Sequence, residues 1–389
     1  MSAGSDARPL RVCGGEVVTG DGTRHTDVRM VGDRIVAEGL LLDPVDEQVI
    51  DARGLRVCPG FVDLQVNGGV GIDLARWPDR MGELAVDLVT HGVTTFLPTI
   101  VSSPPERVGA ACAAWADHRD GGSDGAVPVG LHLEGPMLSP GRAGAHDPVH
   151  LSAPSADLIA DWSSATGVRL VTLAPELPGA LDVIETLVDR GITVSLGHSA
   201  ADVAEVAAAV EAGASLVTHL FNAMGPLHHR APGLPGAALV DERLRAGIIV
   251  DGVHVHADVV RLACAALGPD RLVLVSDGAP ARGVATGPVS MGTSRAELGD
   301  DGIRTPEGVL AGADLTLDRA VRNLAGITGD WVTAVRAASA VPAAAVDLAD
   351  RGVVAPGRRA DLALLDDELR VVLTVVGGRV VYDPRGLAS

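Results

Sequence analysis

The sequence predicts an α/β fold: a (β/α)8 TIM-type barrel with a small β-sandwich built from both chain termini. Three observations predict it. Eight short apolar runs alternate with Ala-rich helical stretches through the middle of the chain. Those runs are nearly continuous in apolar residues, the pattern of parallel strands covered on both faces. The two ends of the chain have another texture, with apolar and polar residues alternating between Gly and Asp turns. An open doubly wound sheet fits the same strand count, which alone does not separate it from a closed barrel.

The elements follow in chain order. Residues 1–58 give the first part of the sandwich, in "RVCGGEVVTGDG", "TDVRMVGDRIVAEG" and "QVIDARGLRVCPG". Residues 59–348 hold the barrel, with strands expected at 61–66, 93–100, 129–134, 169–174, 192–197, 215–220, 247–252 and 272–277. Residues 349–389 return to the alternating texture in "ADLALLDDELRVVLTVVGGRVVYD". Each terminal piece is too small to close a sandwich alone, so the two are expected to share one.

Composition sets outer limits. The 389 residues are 47% hydrophobic, enough for a large core. A net charge of -19 argues against non-specific binding to nucleic acid or anionic membrane. An anionic small substrate stays open, because a few local basic groups can outweigh a distant field. The four cysteines form no CxxC pair, which argues against a zinc ribbon, a redox dithiol or a disulfide framework. The opening "MSAGSDARPL" has no apolar leader core, and no long uncharged apolar run follows, so a cytoplasmic location is expected. Every basic residue is Arg; with no Lys, Schiff-base chemistry, a GK phosphate loop and a carbamylated Lys bridging two metals are all excluded.

Chemistry in such a barrel gathers where the strands end. Here the ends carry Gln65 and Asn67, His132 and Glu134, His198, His219 and Asn222, Asp251 and His254, and Asp277. Two imidazoles and a carboxylate, from His198, His219 and Glu134, make a ligand set for a catalytic divalent ion with an open position for water. A carboxylate after the apolar "LVLV", as at Asp277, needs a cationic or metal-bound partner, or else caps the next turn. His132 is read as a support that orients the ligands. His91 and His118 are read as hydrogen-bonded core residues, and His228, His229 and His256 are left unassigned.

The segments "PGFVDLQVNGG", "GLHLEGPMLSPGRAGAHDP", "SLGHS", "THLFNAMGPLHHRAPGLPGA", "GIIVDGVHVH" and "LVLVSDG" resemble the successive signatures of the N-acetylglucosamine-6-phosphate deacetylases, in the amidohydrolase superfamily. The resemblance covers nearly the whole chain. HLEGP followed by AHDP, and THLFNAM followed by RAPG, are specific together, whereas GHS alone is weak. The resemblance implies that Glu134, His198 and His219 are metal ligands and that Asp277 is the catalytic aspartate. It implies that His146 contacts the substrate near the scissile amide, and that Asn222 and Ala223 help hold the phosphate. It implies that His254 and Arg230 contact the sugar phosphate, Arg230 by reaching into the neighbouring subunit's site, and hence a homodimer.

The chemistry asks for the same residue types. An acetamide is a poor electrophile and neutral water a poor nucleophile. A divalent ion lowers the pKa of bound water to about 7 in favourable sites. Asp277 can take a proton from that water as general base and return it to the leaving amine as general acid. His146 can donate to the carbonyl oxygen as it gains charge, and Arg230 can bind phosphate bidentately. In many amidohydrolases the first strand ends in HxH, which binds a further metal; here those positions are Gln65 and Asn67, and amides are poor zinc ligands. One divalent ion per subunit is therefore expected, zinc first, with iron, cobalt or manganese compatible with the ligands. A second, weak site near Gln65 and Asn67 stays open.

The expected reaction is deacetylation of N-acetyl-D-glucosamine 6-phosphate to D-glucosamine 6-phosphate and acetate. Three alternatives remain at this stage. The substrate could be the galactosamine epimer, or a cyclic amide, although cyclic-amide hydrolases usually carry the HxH start and bridging Lys missing here. The chain could also be a non-catalytic sugar-phosphate-binding protein, although such proteins tend to lose the ligands or the base that this chain retains.

Overall fold

The computed structural model describes residues 8–39, 46–119, 124–285 and 287–388. The reading of the first seven residues as lacking a leader lies outside them.

The first barrel strand, Phe61–Val66, is buried at all six positions. It pairs in parallel with Val93–Val101, whose nine residues are also all buried. The parallel order then runs through Leu131–Glu134, Val168–Leu173, Thr193–Leu196, Leu216–Val217, Arg245–Ile248 and Leu272–Leu274. Closure comes just past the eighth strand. Val66 bridges Gly278 in parallel, and the Asn67 and Gly68 amides both donate to the Gly278 carbonyl at 2.9 Å. That ring excludes the open doubly wound sheet.

Most helices between the strands bury one stripe, whereas Gly233–Val240 is buried at six consecutive positions. Val203–Glu211 begins with a capping box, in which Asp202 accepts from Ala204 and Glu205 while Glu205 accepts from the Asp202 amide. Val206, Ala209 and Val210 face inward.

Three expected strands end early or start elsewhere. The sixth pairs only over Leu216–Val217, and the seventh lies at Arg245–Ile248 instead of 247–252. The eighth stops at Leu274. Backbone geometry explains the first and last: His219 at φ 33°, Phe221 at φ 78° and Asp277 at φ 47° leave the extended region where a ladder can continue. After the seventh strand, Asp251 accepts from the amides of Val253 and His254 at 2.8 Å each, which makes a turn of residues expected to extend.

Strands from both chain ends share one sheet. Arg56–Pro59, next to the first barrel strand, pairs antiparallel with Leu362–Leu365 on one side and parallel with Leu10–Thr19 on the other. The sheet encloses its own apolar cluster, including Val12, Val17, Val28, Ile50, Val57, Leu362, Leu364 and Leu373. A part-buried pair, Arg351 to Asp361 at 2.8 Å, lies at the junction with the barrel, where Arg351 also donates to Thr95.

One element was not expected. Gly287–Met291, Ser294–Gly299 and Gly302–Arg304 form a three-stranded antiparallel sheet after the eighth strand. It is tied to the barrel mouth by Asp73 accepting from the Gly292 amide (2.8 Å), Ser294 donating to the Ala145 carbonyl (2.9 Å) and Thr293 donating to Asp147 (2.9 Å).

Candidate active site

Four strand ends bring their side chains to one point. Glu134 ends the third strand; His198, His219 and Asp277 follow the fifth, sixth and eighth within a few residues. All four are buried. His198, His219 and Asp277 adopt left-handed φ values of 49°, 33° and 47°. Such backbone is strained for a residue with a Cβ and persists where the surrounding structure enforces it. The turn to His198 needs Gly197, because a Cβ there would lie 2.9 Å from Thr172 and 3.0 Å from Thr218.

Glu134 Oε1 is 3.1 Å from both His198 Nε2 and His219 Nε2, which are 3.0 Å from each other. His198 Nδ1–H donates to the Arg142 carbonyl at 2.9 Å, so its Nε2 presents a lone pair to the carboxylate oxygen. Two acceptor atoms facing at that distance repel unless a cation lies among them. Ligand atoms about 2.1 Å from a tetrahedral ion sit roughly 3.4 Å apart, so the spacing fits a divalent ion. Among the described residues this is the one His/Cys/Asp/Glu group of three or more with that convergence, all ligand atoms within 4.8 Å.

The amides of the first strand each serve one carboxylate. Gln65 Nε2 donates to Glu134 Oε1 at 3.2 Å, and Asn67 Nδ2 donates to Asp277 Oδ1 at 2.7 Å. Burial, with the charge of Glu134 added, pushes the Asp277 carboxyl up to about 8. His146 stands beside Glu134, Nε2 to Oε1 4.0 Å, with its Nδ1 facing Ser102. Burial and the neighbouring His198 hold the His146 imidazole down to about 3, so it is neutral.

Glu134, His146, His198, His219 and Asp277 line a cavity of about 300 Å³. Its wall also includes Asn222, Ala223 and His254, and the three-stranded sheet brings Met291 and Arg304 over it. His254 Nδ1–H donates to Asp251 at 2.7 Å. Arg230 does not line this cavity. It is exposed, with Nη1 2.7 Å from His229 Nε2, in a separate surface groove shared with Arg142 and His228.

His132 differs from its expected role. Its Nδ1–H donates to the Leu64 carbonyl at 3.1 Å and its Nε2 accepts from Thr172 Oγ1 at 2.7 Å, so neither nitrogen faces the ligands. It belongs to a polar layer beneath the site, continued by Thr172 to Thr218 at 2.7 Å and Thr218 to Ser195 at 2.5 Å. Burial holds the His132 imidazole down to about 4. His91 pairs with Asp318, and His118 bonds the Ala114 carbonyl, as structural histidines do. Ser102, Asp73, Met291 and Arg304 were missed. The signal for the last two lay in "GPVSMGTSRAELGDDGIR", whose Gly turns and alternation spell a hairpin.

The chain matches the Amidohydrolase family over residues 56–381. It is 38% identical to the N-acetylglucosamine-6-phosphate deacetylase of Homo sapiens, over 97% of this chain and 96% of that one. It is 36% identical to the N-acetylgalactosamine-6-phosphate deacetylase of Escherichia coli O157:H7, over 89% and 93%. A mutant N-acetyl-D-glucosamine-6-phosphate deacetylase from Mycobacterium smegmatis, solved in complex with N-acetyl-D-glucosamine-6-phosphate, superposes with a TM-score of 0.88 at 34% identity, covering 96% of this chain and 99% of that one. The barrel, the strand-end residues and these likenesses agree: the chain belongs to the amidohydrolase family and, within it, to the N-acetylglucosamine-6-phosphate deacetylases.

Proposed function

We propose that the chain hydrolyses the amide of N-acetyl-D-glucosamine 6-phosphate, giving D-glucosamine 6-phosphate and acetate. The observation that carries this reading is the convergence of one ligand atom each from Glu134, His198 and His219, all within 4.8 Å of one another, with Asp277 and His146 in the same cavity. A divalent ion held by those three side chains supplies Lewis acidity, acidifying water and polarising a carbonyl.

The protein's own groups do the rest. Asn67 occupies Oδ1 of Asp277, so Oδ2 accepts the proton of the attacking water. The water oxygen bonds to the acyl carbon while His146 donates a hydrogen bond to the carbonyl oxygen as it gains charge. Asp277 then delivers its proton to the nitrogen, the C–N bond breaks, and acetate and the free amine leave. Burial favours the protonated form of Asp277 and a cation beside it would favour the carboxylate, so the one group can take a proton and give it back.

Asn222, Ala223 and His254 are assigned to the sugar phosphate, on the strength of their place in the cavity wall. Arg230, exposed and outside that wall, is assigned to the site of a second subunit in a homodimer. Zinc as the ion, one per chain, and a cytoplasmic location complete the reading.

Acetate release from the 6-phosphates of N-acetylglucosamine and N-acetylgalactosamine tests it directly. Turnover of the gluco substrate is expected to exceed that of its epimer. Equal loss of both when the phosphate is removed would support the phosphate contacts. Failure to release acetate from either phosphorylated sugar would sink the deacetylase reading.

A further inference from the structure

The Nδ1 atom of His146 has two neighbours, both from Ser102: the backbone N–H at 3.2 Å and Oγ at 2.9 Å. A backbone N–H can only donate. Nδ1 must therefore be the unprotonated nitrogen, and the neutral ring carries its hydrogen on Nε2. Nε2 is the nitrogen facing the cavity, 4.0 Å from Glu134 Oε1.

Ser102 is itself held. It follows the second barrel strand, Val93–Val101, and is 4% exposed. Its hydroxyl fills a notch beside Gly135, where a Cβ would come within 2.4 Å of Ser102 Oγ. Gly135 directly follows the ligand Glu134, so the strand that supplies the ligand also makes room for the serine.

We propose that Ser102 is a positioning residue that fixes His146 as the Nε2–H tautomer, aiming one hydrogen-bond donor at the scissile carbonyl oxygen. The opposite tautomer would turn a lone pair toward an oxygen that is gaining negative charge. This deepens the deacetylase reading and rests on it for the identity of that oxygen. The hydroxyl shares the work with the backbone N–H, so its loss weakens the preference without removing it.

The test uses the full-length, zinc-loaded protein labelled with 15N at histidine, and N-acetyl-D-glucosamine 6-phosphate as substrate. His146→Gln assigns the ring's resonances. In the unsubstituted protein His146 is expected to show a protonated Nε2 and an unprotonated Nδ1. Ser102→Ala is expected to lower kcat roughly threefold to tenfold, the effect of one hydrogen bond, with KM unchanged and the Nε2–H signature partly lost. Ser102→Thr, which keeps the hydroxyl, should restore both. A proton on Nδ1 in the unsubstituted protein would overturn the proposal, as would unchanged kcat in Ser102→Ala. Equal losses in the Ala and Thr variants would overturn it too. If Nε2–H is seen but no acetate is released, the deacetylase reading fails and the assigned role fails with it. If acetate is released and the proton is on Nδ1, only the role of Ser102 fails.

Discussion

Asn67 Nδ2 lies 2.7 Å from Oδ1 of Asp277, joining the end of the first barrel strand to the turn after the eighth. Asn67 is 3% exposed, and its own Oδ1 is buried without a hydrogen-bond partner among the described residues. The amide thus spends its donor on the carboxylate at the expense of its acceptor, an arrangement that favours a fixed orientation of Asp277. Asn67→Ala should lower kcat roughly tenfold to hundredfold, the range for losing a hydrogen bond to a charged group. KM should change little. Steady-state acetate release checks this, and a rise in KM at constant kcat would place Asn67 in substrate binding instead.

Asp277→Asn removes the proton carrier and keeps the side-chain shape. Turnover should fall by roughly a hundredfold to ten-thousandfold, the usual contribution of a positioned acid–base group. Zinc content should stay at the level of the unsubstituted protein, because Asp277 is not among the three converging candidate ligands. Near-normal activity in this variant would remove Asp277 from the mechanism.

His198→Ala takes away one of the three candidate ligands. Loss even of a group that only orients a ligand weakens metal affinity about 10- to 100-fold, so loss of the ligand itself should weaken it by roughly a hundredfold or more. Elemental analysis after dialysis should find about one ion per chain in the unsubstituted protein and little in the variant. Two ions per chain, both required for activity, would show that Gln65 and Asn67 do more than hydrogen-bond to carboxylates.

How far the sequence alone reached is clearest at particular residues. The barrel was legible because its parallel strands are buried on both faces, so Phe61–Val66 and Val93–Val101 read as unbroken apolar runs. The candidate ligand cluster was legible because polar side chains at the ends of such runs need a reason. The strand ends themselves were misread because His219, Phe221 and Asp277 take left-handed backbone that no composition rule demands of them. Ser102 was invisible, since its part in the site depends on a backbone amide and on the absent Cβ of Gly135. The partner of His132 was misjudged for a related reason: sharing a strand face with Glu134 does not say which way an imidazole turns.

Asp73 gives the last prediction, and it concerns pH. The carboxylate is 2% exposed and accepts from the amides of Gly292 and Ala75, so it fastens the three-stranded sheet to the barrel mouth. Burial raises its pKa from 3.8 to about 6, and the backbone hydrogen bonds only partly oppose that. The folded state therefore holds this proton to higher pH than the unfolded chain does. Its contribution to stability is full below about pH 4 and is lost as pH rises through about 6. Asp73→Asn cannot titrate, though it exchanges one acceptor for a donor at every pH. The stability of the unsubstituted protein relative to Asp73→Asn should thus fall by on the order of 2 kcal/mol between pH 4 and pH 7. Urea melts of both proteins at matched pH values measure that difference, and other titrating groups cancel in it. A flat difference would mean that Asp73 is solvated, and that the sheet is not pinned over the cavity by a buried carboxylate.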